Sequence, residues 1–158
     1  MQYIFAKCAG ESKDPGQPKK RKETRSVAAK IYPSLKLEEC VMPKQIEGEP
    51  YVRISVDEAA DLQGNEDVVF VDVRRTDEYI EGHVEGALFI TVDDVLGRID
   101  ELPRDKDLLF ICAAGVRSGL ACEMAAAMGY DSSKLYNIEE GTPTWIERGY
   151  PTSQGTDL

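Results

Sequence analysis

A chain of 158 residues, 42% apolar and 30% charged, suits one soluble domain with sequence to spare, and no run approaches the roughly 20 apolar residues that a membrane helix needs. Its net charge of −10 is unevenly spread: residues 1–50 hold ten Lys/Arg against seven Asp/Glu, residues 51–158 nine against 22, and so acidic a body repels phosphate backbones and argues against nucleic acid as the main partner. One histidine, His83, and four scattered cysteines without a C-x-x-C pair argue against a zinc site.

The start, MQYIFAKCAGESKDPG, lacks a basic region followed by an apolar one, so no secretory signal is expected and a cytoplasmic chain is. From Gly10 to Pro50 come five prolines, clustered charges and little apolar periodicity, the composition of an extension or linker. The run KKRK, Lys19 to Lys22, reads as solvated linker. Short apolar pieces, YIF and KIYPSLKL, could pack on the body as a strand or arm, with nothing to specify how. Residues 1–50 are therefore set apart as a basic, proline-containing N-terminal extension, and residues 51–158 as the domain.

Past Pro50 the signals sharpen. YVRIS is a short strand candidate, and Ser55 to Glu58 has the S-x-x-E form of a capping box, opening a helix through about Leu62 before Gly64. VVFVDV (68–73) and LLFIC (108–112) are continuous apolar runs of the kind buried on both faces of a parallel sheet. TDEYIEG, TVDDVLGRIDEL and RSGLACEMAAAMG each begin near Thr or Ser and are rich in helix formers, so helices are expected in all three. This alternation of strand and helix predicts an α/β domain with a central parallel sheet covered on both faces, its ligand site beyond the carboxyl ends of the strands.

Cys112 falls at one of those ends, followed by Ala113, Ala114, Gly115, Val116, Arg117 and Ser118. Small residues let the backbone curl, Gly115 takes positive φ without steric cost, and the amides can converge. A helix starting near Arg117 or Ser118 adds its unpaired N–H groups and the positive end of its dipole, and Arg117 adds a full charge. Such a cradle favours thiolate over thiol, lowering a pKa that is about 8.5 in a free cysteine, and would hold an anionic substrate. Buried cysteine is common as plain packing, but packing alone leaves Gly115 and Arg117 unexplained. Cys122, among small helix residues, reads as packing.

From about Tyr51 to Pro151 the chain resembles a single-domain rhodanese, a sulfurtransferase-like module. VVFVDVRRTDEYIEGHVEGA is similar to that family's strand, D-x-R, E-Y and G-H-x-x-G-A; CAAGVRS to its active loop, C-x-x-G-x-R-S; GLACEMAAAMGY to the helix after the loop; and EEGTPTWIERGYP to the closing segment. The resemblance implies a five-stranded sheet with helices on both sides, and a Cys112 that accepts a sulfane sulfur and cycles between thiolate and persulfide, with no metal or organic cofactor. Its donor would be thiosulfate or a persulfide, small or carried by a protein, and its acceptor a thiol, cyanide or a protein. Charge on the terminal sulfur would be held by the amides from Ala113 to Ser118 and by Arg117. Asp72 and Arg74 match D-x-R and would hold the loop region; His83 would orient a turn rather than act as a base; Trp145 would be core under the loop.

Two departures stand out. Ala113 occupies a position where many active members carry arginine, which removes a cation that would bind thiosulfate. Glu140-Gly141 replaces the usual glycine pair and is expected to add negative charge near the mouth of the site. Two other functions compete: phosphatase or arsenate-reductase chemistry, whose loops resemble C-x5-R where this chain has the tighter C-x4-R, and a non-catalytic binding or sensing module that kept the fold.

Overall fold

The computed structural model describes residues 44–156. The YIF and KIYPSLKL segments, the KKRK run, Cys8 and Cys40 lie outside the described residues. Strand β1 (Val52–Ile54) leads through Ser55 into helix α1 (Val56–Ala60), and the expected capping box is formed: Glu58 N–H donates to Ser55 Oγ at 3.2 Å and Ser55 N–H to Glu58 Oε2 at 2.8 Å. Then follow β2 (Val68–Asp72), α2 (Thr76–Glu81), β3 (His83–Val84), β4 (Leu88–Phe89), β5 (Asp107–Ile111), α3 (Val116–Ala127), β6 (Leu135–Ile138), α4 (Gly141–Glu147) and β7 (Thr152–Ser153).

Five strands form one sheet in the order β1-β6-β5-β2-β4, every pair parallel, while β3 and β7 make a small antiparallel pair beside it. All five residues of β5 are buried, Asp107 at its start and then the apolar run from Leu108, as the centre of a sheet covered on both faces requires. Alternate residues serve two cores. Val71, Val73, Leu108, Phe110 and Cys112 pack on one face with Ala121, Cys122 and Ala125 of α3; Phe70, Leu109 and Ile111 pack on the other with Val56 and Ala59 of α1 and Trp145 of α4. Trp145 is fully buried, meets Phe70 edge-on at 5.5 Å and donates Nε1–H to the Pro151 carbonyl at 3.0 Å. It is core, as expected, but on the face of the sheet opposite Cys112 rather than beneath the loop.

Small residues let α3 lie close to the sheet. A Cβ at Gly119 would stand 3.1 Å from the Tyr51 hydroxyl and 3.3 Å from Asn137 Nδ2. One expectation needs correction. TVDDVLGRIDEL is not a helix: it runs as turns ending in a 3-10 turn at Ile99–Glu101 that still buries Val95, Ile99 and Leu102. Gly97 interrupts it at a cost near 1 kcal/mol in a helix interior, and the Thr91 hydroxyl, bonded to Asp94 at 2.6 Å, favours a local turn instead. Ahead of residue 51, Lys44 exchanges two backbone hydrogen bonds with Arg53, at 3.1 and 3.0 Å, and Glu49 pairs with the Arg53 guanidinium at 2.6 Å. Residues 44–50 thus fold along the edge of β1. Among the described residues, no helix is long and apolar enough to cross a membrane.

Candidate active site

Cys112 follows the last residue of β5 and is 1% exposed. The chain turns there because Gly115 adopts φ 79°, and no side chain fits at that point, since a Cβ would lie 2.7 Å from the Glu139 carbonyl oxygen. Helix α3 then starts at Val116, one to two residues earlier than the sequence suggests. The amides of Arg117 and Ser118 fall in its first turn, where backbone N–H groups have no intrahelical acceptor.

Those N–H groups, with that of Ala114, donate to Cys112 Sγ, and Ser118 Oγ lies 3.3 Å from the same sulfur. Burial pushes the thiol up, but the Ser118 hydroxyl and the three amides outweigh it and hold Cys112 below the ordinary thiol range. For Cys122 burial, with the nearby Glu123 charge, outweighs a backbone hydrogen bond and raises the thiol well above that range, which suits packing. Both cysteines are free thiols.

A second glycine closes the cradle from behind. Thr142 N–H donates to the Cys112 carbonyl at 2.8 Å, and Gly141, at φ 75°, sits so tightly on the loop that a Cβ would lie 2.3 Å from the Ala113 oxygen. The other loop positions divide the remaining work. The Ala113 carbonyl packs on Gly141, Ala114 lends its amide, and Val116 faces outward, 78% exposed.

Arg117 lies differently from the expectation. Its guanidinium forks onto Glu78 of α2, Nη1 to Oε2 at 2.6 Å and Nη2 to Oε1 at 2.8 Å, so its charge is already compensated, and what it gives the sulfur is its amide. Asp72 and Arg74 form a buried ion pair at 2.7 Å, and Arg74 Nη2 donates to the Gly82 carbonyl, also at 2.7 Å. The pair therefore secures the end of α2 and not the loop itself; its hold on the loop passes through Glu78 and Arg117. His83, 1% exposed, stacks on Tyr79 at 3.7 Å with Nδ1 2.9 Å from the Tyr79 carbonyl oxygen, at the turn between α2 and β3. Glu140 also needs correction, because its carboxylate accepts from Val56 N–H at 2.9 Å, at the start of α1, and does not reach into the cleft beside Arg117.

Two residues that sequence reasoning passed over belong to the site. Glu78 lies in the quoted E-Y motif without having been given a role. Asn137, 2% exposed on β6, donates Nδ2–H to the Gly115 carbonyl at 3.0 Å and accepts from Ser118 Oγ at 2.6 Å. Its signal was a polar residue inside the apolar run LYNI. A cleft of about 510 Å³ opens beyond β2 and β4, lined by Arg74, Arg75, Glu78, Thr91, Asp93 and Arg117; another of about 360 Å³ lies across the loop, with Gly115, Leu120, Glu123, Asn137 and Glu139 on its wall.

A cysteine at a strand end, ringed by loop amides and closed by a C-x4-R turn, agrees with the match of residues 55–148 to the rhodanese-like domain. The chain belongs to the rhodanese-like family. It is 32% identical over 90 residues to a sulfurtransferase of Allochromatium vinosum, covering 57% of this chain and 82% of that one. It is 29% identical over 103 residues to the thiosulfate sulfurtransferase GlpE of Coxiella burnetii, covering 65% and 94%. The crystal structure of a rhodanese-related protein from Thermoplasma volcanium superposes with a TM-score of 0.54 at 32% identity, over 65% of this chain and 96% of that one. In this rhodanese-like chain the five parallel strands and the helices on both faces are as the sequence led one to expect.

Proposed function

We propose that this chain is a sulfurtransferase that carries a sulfane sulfur on Cys112, taken from thiosulfate or a persulfide donor and passed to a thiol, cyanide or protein acceptor. The observation that carries the reading is the convergence on one sulfur of three amides and a hydroxyl. In the first half-reaction the Cys112 thiolate attacks the donor's outer sulfur: a new S–S bond forms, the donor's S–S bond breaks, and its electron pair leaves on sulfite or on the donor thiolate. In the second, an acceptor nucleophile attacks the outer sulfur of the persulfide, and the electron pair of that bond returns to Cys112 Sγ. No electron carrier is needed, because the sulfane sulfur moves with its oxidation state unchanged. The amides that favour the thiolate also suit the persulfide's terminal charge. Relatives named sulfurtransferases support the reading, and free thiols at Cys112 and Cys122 fit a reducing compartment such as the cytoplasm.

Mass spectrometry after incubation with thiosulfate or a small persulfide, then gel filtration, tests this. One added sulfur on Cys112, discharged by cyanide, is the expected result. An unmodified Cys112 with both donors overturns the proposal and leaves a binding module; hydrolysis of an aryl phosphate at Cys112 in place of sulfur uptake would make it a phosphatase.

A further inference from the structure

The Ser118 hydroxyl carries one hydrogen and stands before two acceptors: Asn137 Oδ1 at 2.6 Å and Cys112 Sγ at 3.3 Å. All three side chains are buried, Ser118 at 0%, Cys112 at 1% and Asn137 at 2% exposure, so water does not readily supply a replacement donor. The orientation of Asn137 is set by its other end. Nδ2 donates to the Gly115 carbonyl at 3.0 Å; turning the amide over would set two oxygens against each other there and a donor against the Ser118 oxygen's proton. The acceptor at Oδ1 is therefore permanent, while that at Cys112 changes with its chemistry. A neutral divalent sulfur accepts weakly, and a thiolate accepts with the added strength of a full charge.

We propose that Asn137 is a positioning residue that holds the Ser118 hydroxyl hydrogen while Cys112 is sulfur-loaded and yields it when Cys112 leaves as a thiolate. The proposal rests on the sulfur-transfer reading. When the acceptor takes the outer sulfur, the Cys112 S–S bond breaks and its electron pair stays on Sγ. The Ser118 O–H then swings from Asn137 Oδ1 to that sulfur, without any proton leaving the oxygen. The leaving thiolate gains a donor at the moment its charge appears, and the loaded state is spared an unpaired buried hydroxyl hydrogen. Because Nδ2 also ties the Gly115 carbonyl, the same side chain steadies the turn that aims the amides. The charged and titratable neighbours, Arg117 with Glu78 and Cys122, are left in place by the substitutions below.

The test is the pH dependence of Cys112 alkylation by iodoacetamide in wild type, Ser118→Ala, Asn137→Leu and the double variant. This reads the thiolate directly and needs no sulfur transfer, so it stands apart from the mass-gain experiment. Asn137→Leu should lower the midpoint, since the hydroxyl hydrogen is no longer shared. Ser118→Ala should raise it, and by roughly half a pH unit more in the Asn137→Leu background than in wild type. An equal effect of Ser118→Ala in both backgrounds overturns the proposal, as does a raised midpoint in Asn137→Leu, the mark of a merely structural role. Should Asn137→Leu fail to fold, the side-chain carbonyl carbon of Asn137 is followed by NMR in reduced and persulfidated wild type. A shift that disappears in Ser118→Ala is expected, and one that survives there rejects the switch.

Discussion

Arg117 and Glu78 join the first turn of α3 to α2 through two parallel hydrogen bonds of 2.6 and 2.8 Å. Arg117 thereby clamps the amide-bearing turn against the helix that the buried Asp72–Arg74 pair secures, while still lining the cleft.

The first prediction concerns this clamp. The Arg117 guanidinium pulls the Glu78 carboxyl from the usual 4.5 down to about 2. A carboxylate whose pKa is lower folded than unfolded stabilises the fold above its unfolded value and loses that contribution as pH falls through its folded one. The clamp should therefore persist at pH 3 to 4 and fail only toward pH 2. NMR titration of Glu78 checks this: Arg117→Ala should return the midpoint to the ordinary carboxylate range, with only a small rise in that of Cys112, whose main donors are amides and a hydroxyl. A large rise in Cys112 would mean that the guanidinium acts on the sulfur after all.

The second compares Gly86 and Gly141, both of positive φ but different in surroundings. Gly86→Ala meets nothing within 4 Å and should cost only the conformational penalty, roughly 1–2 kcal/mol. Gly141→Ala adds a methyl 2.3 Å from the Ala113 oxygen, and overpacking raises its cost to ~3 kcal/mol or more while displacing the loop. Chemical denaturation and alkylation of Cys112 measure both, and equal costs would show that α4 yields to the loop without strain.

Cysteine chemistry supplies the third. Cys112→Ser should abolish sulfur uptake with the fold intact, because the hydroxyl is not ionised in this cradle. Cys122→Ala should retain most activity at a stability cost of about 1 kcal/mol for the small cavity. In the folded protein at neutral pH, alkylating reagent should mark Cys112 well before Cys122; peptide mapping reads the order, and a reversed order would exchange their roles.

The fourth follows from Ala113 and the acidic body. With Arg117 and Arg74 both engaged by carboxylates, thiosulfate should show a high KM that Ala113→Arg lowers. Moderate salt should also help, because the Debye length shrinks from about 30 Å at 0.01 M to about 10 Å at 0.1 M. Steady-state kinetics across salt, with thiosulfate and a neutral persulfide, gives the answer. Tight thiosulfate saturation indifferent to both changes would refute it.

Much of this was legible in the chain. The runs at 68–73 and 108–112 marked the central strands because burial on both faces leaves almost every position apolar, with Asp72 the polar residue that Arg74 pairs, and the Ser55 capping box is a local motif whose partners are three residues apart. Cys112, Gly115 and the turn into α3 were likewise local. The two-residue strands β3, β4 and β7 were not, since elements so short exist only through their partners. Nor was the failure of TVDDVLGRIDEL to form a helix, where burial of Val95, Ile99 and Leu102 could be met by turns as well as by helical spacing.

By itself, then, the sequence determined the alternation of strand and helix, the place of Cys112 at a strand end, and the backbone freedom that lets amides gather on its sulfur. These depend on residues within a few positions of one another. Only the tertiary structure decided that Arg117 would spend its charge on Glu78, 39 residues away, that Glu140 would turn to the start of α1, and that Asn137 would share the hydroxyl hydrogen of Ser118. Side chains of that kind choose among partners by distance and burial, and both are properties of the packed sheet and its helices, absent from the order of residues along the chain.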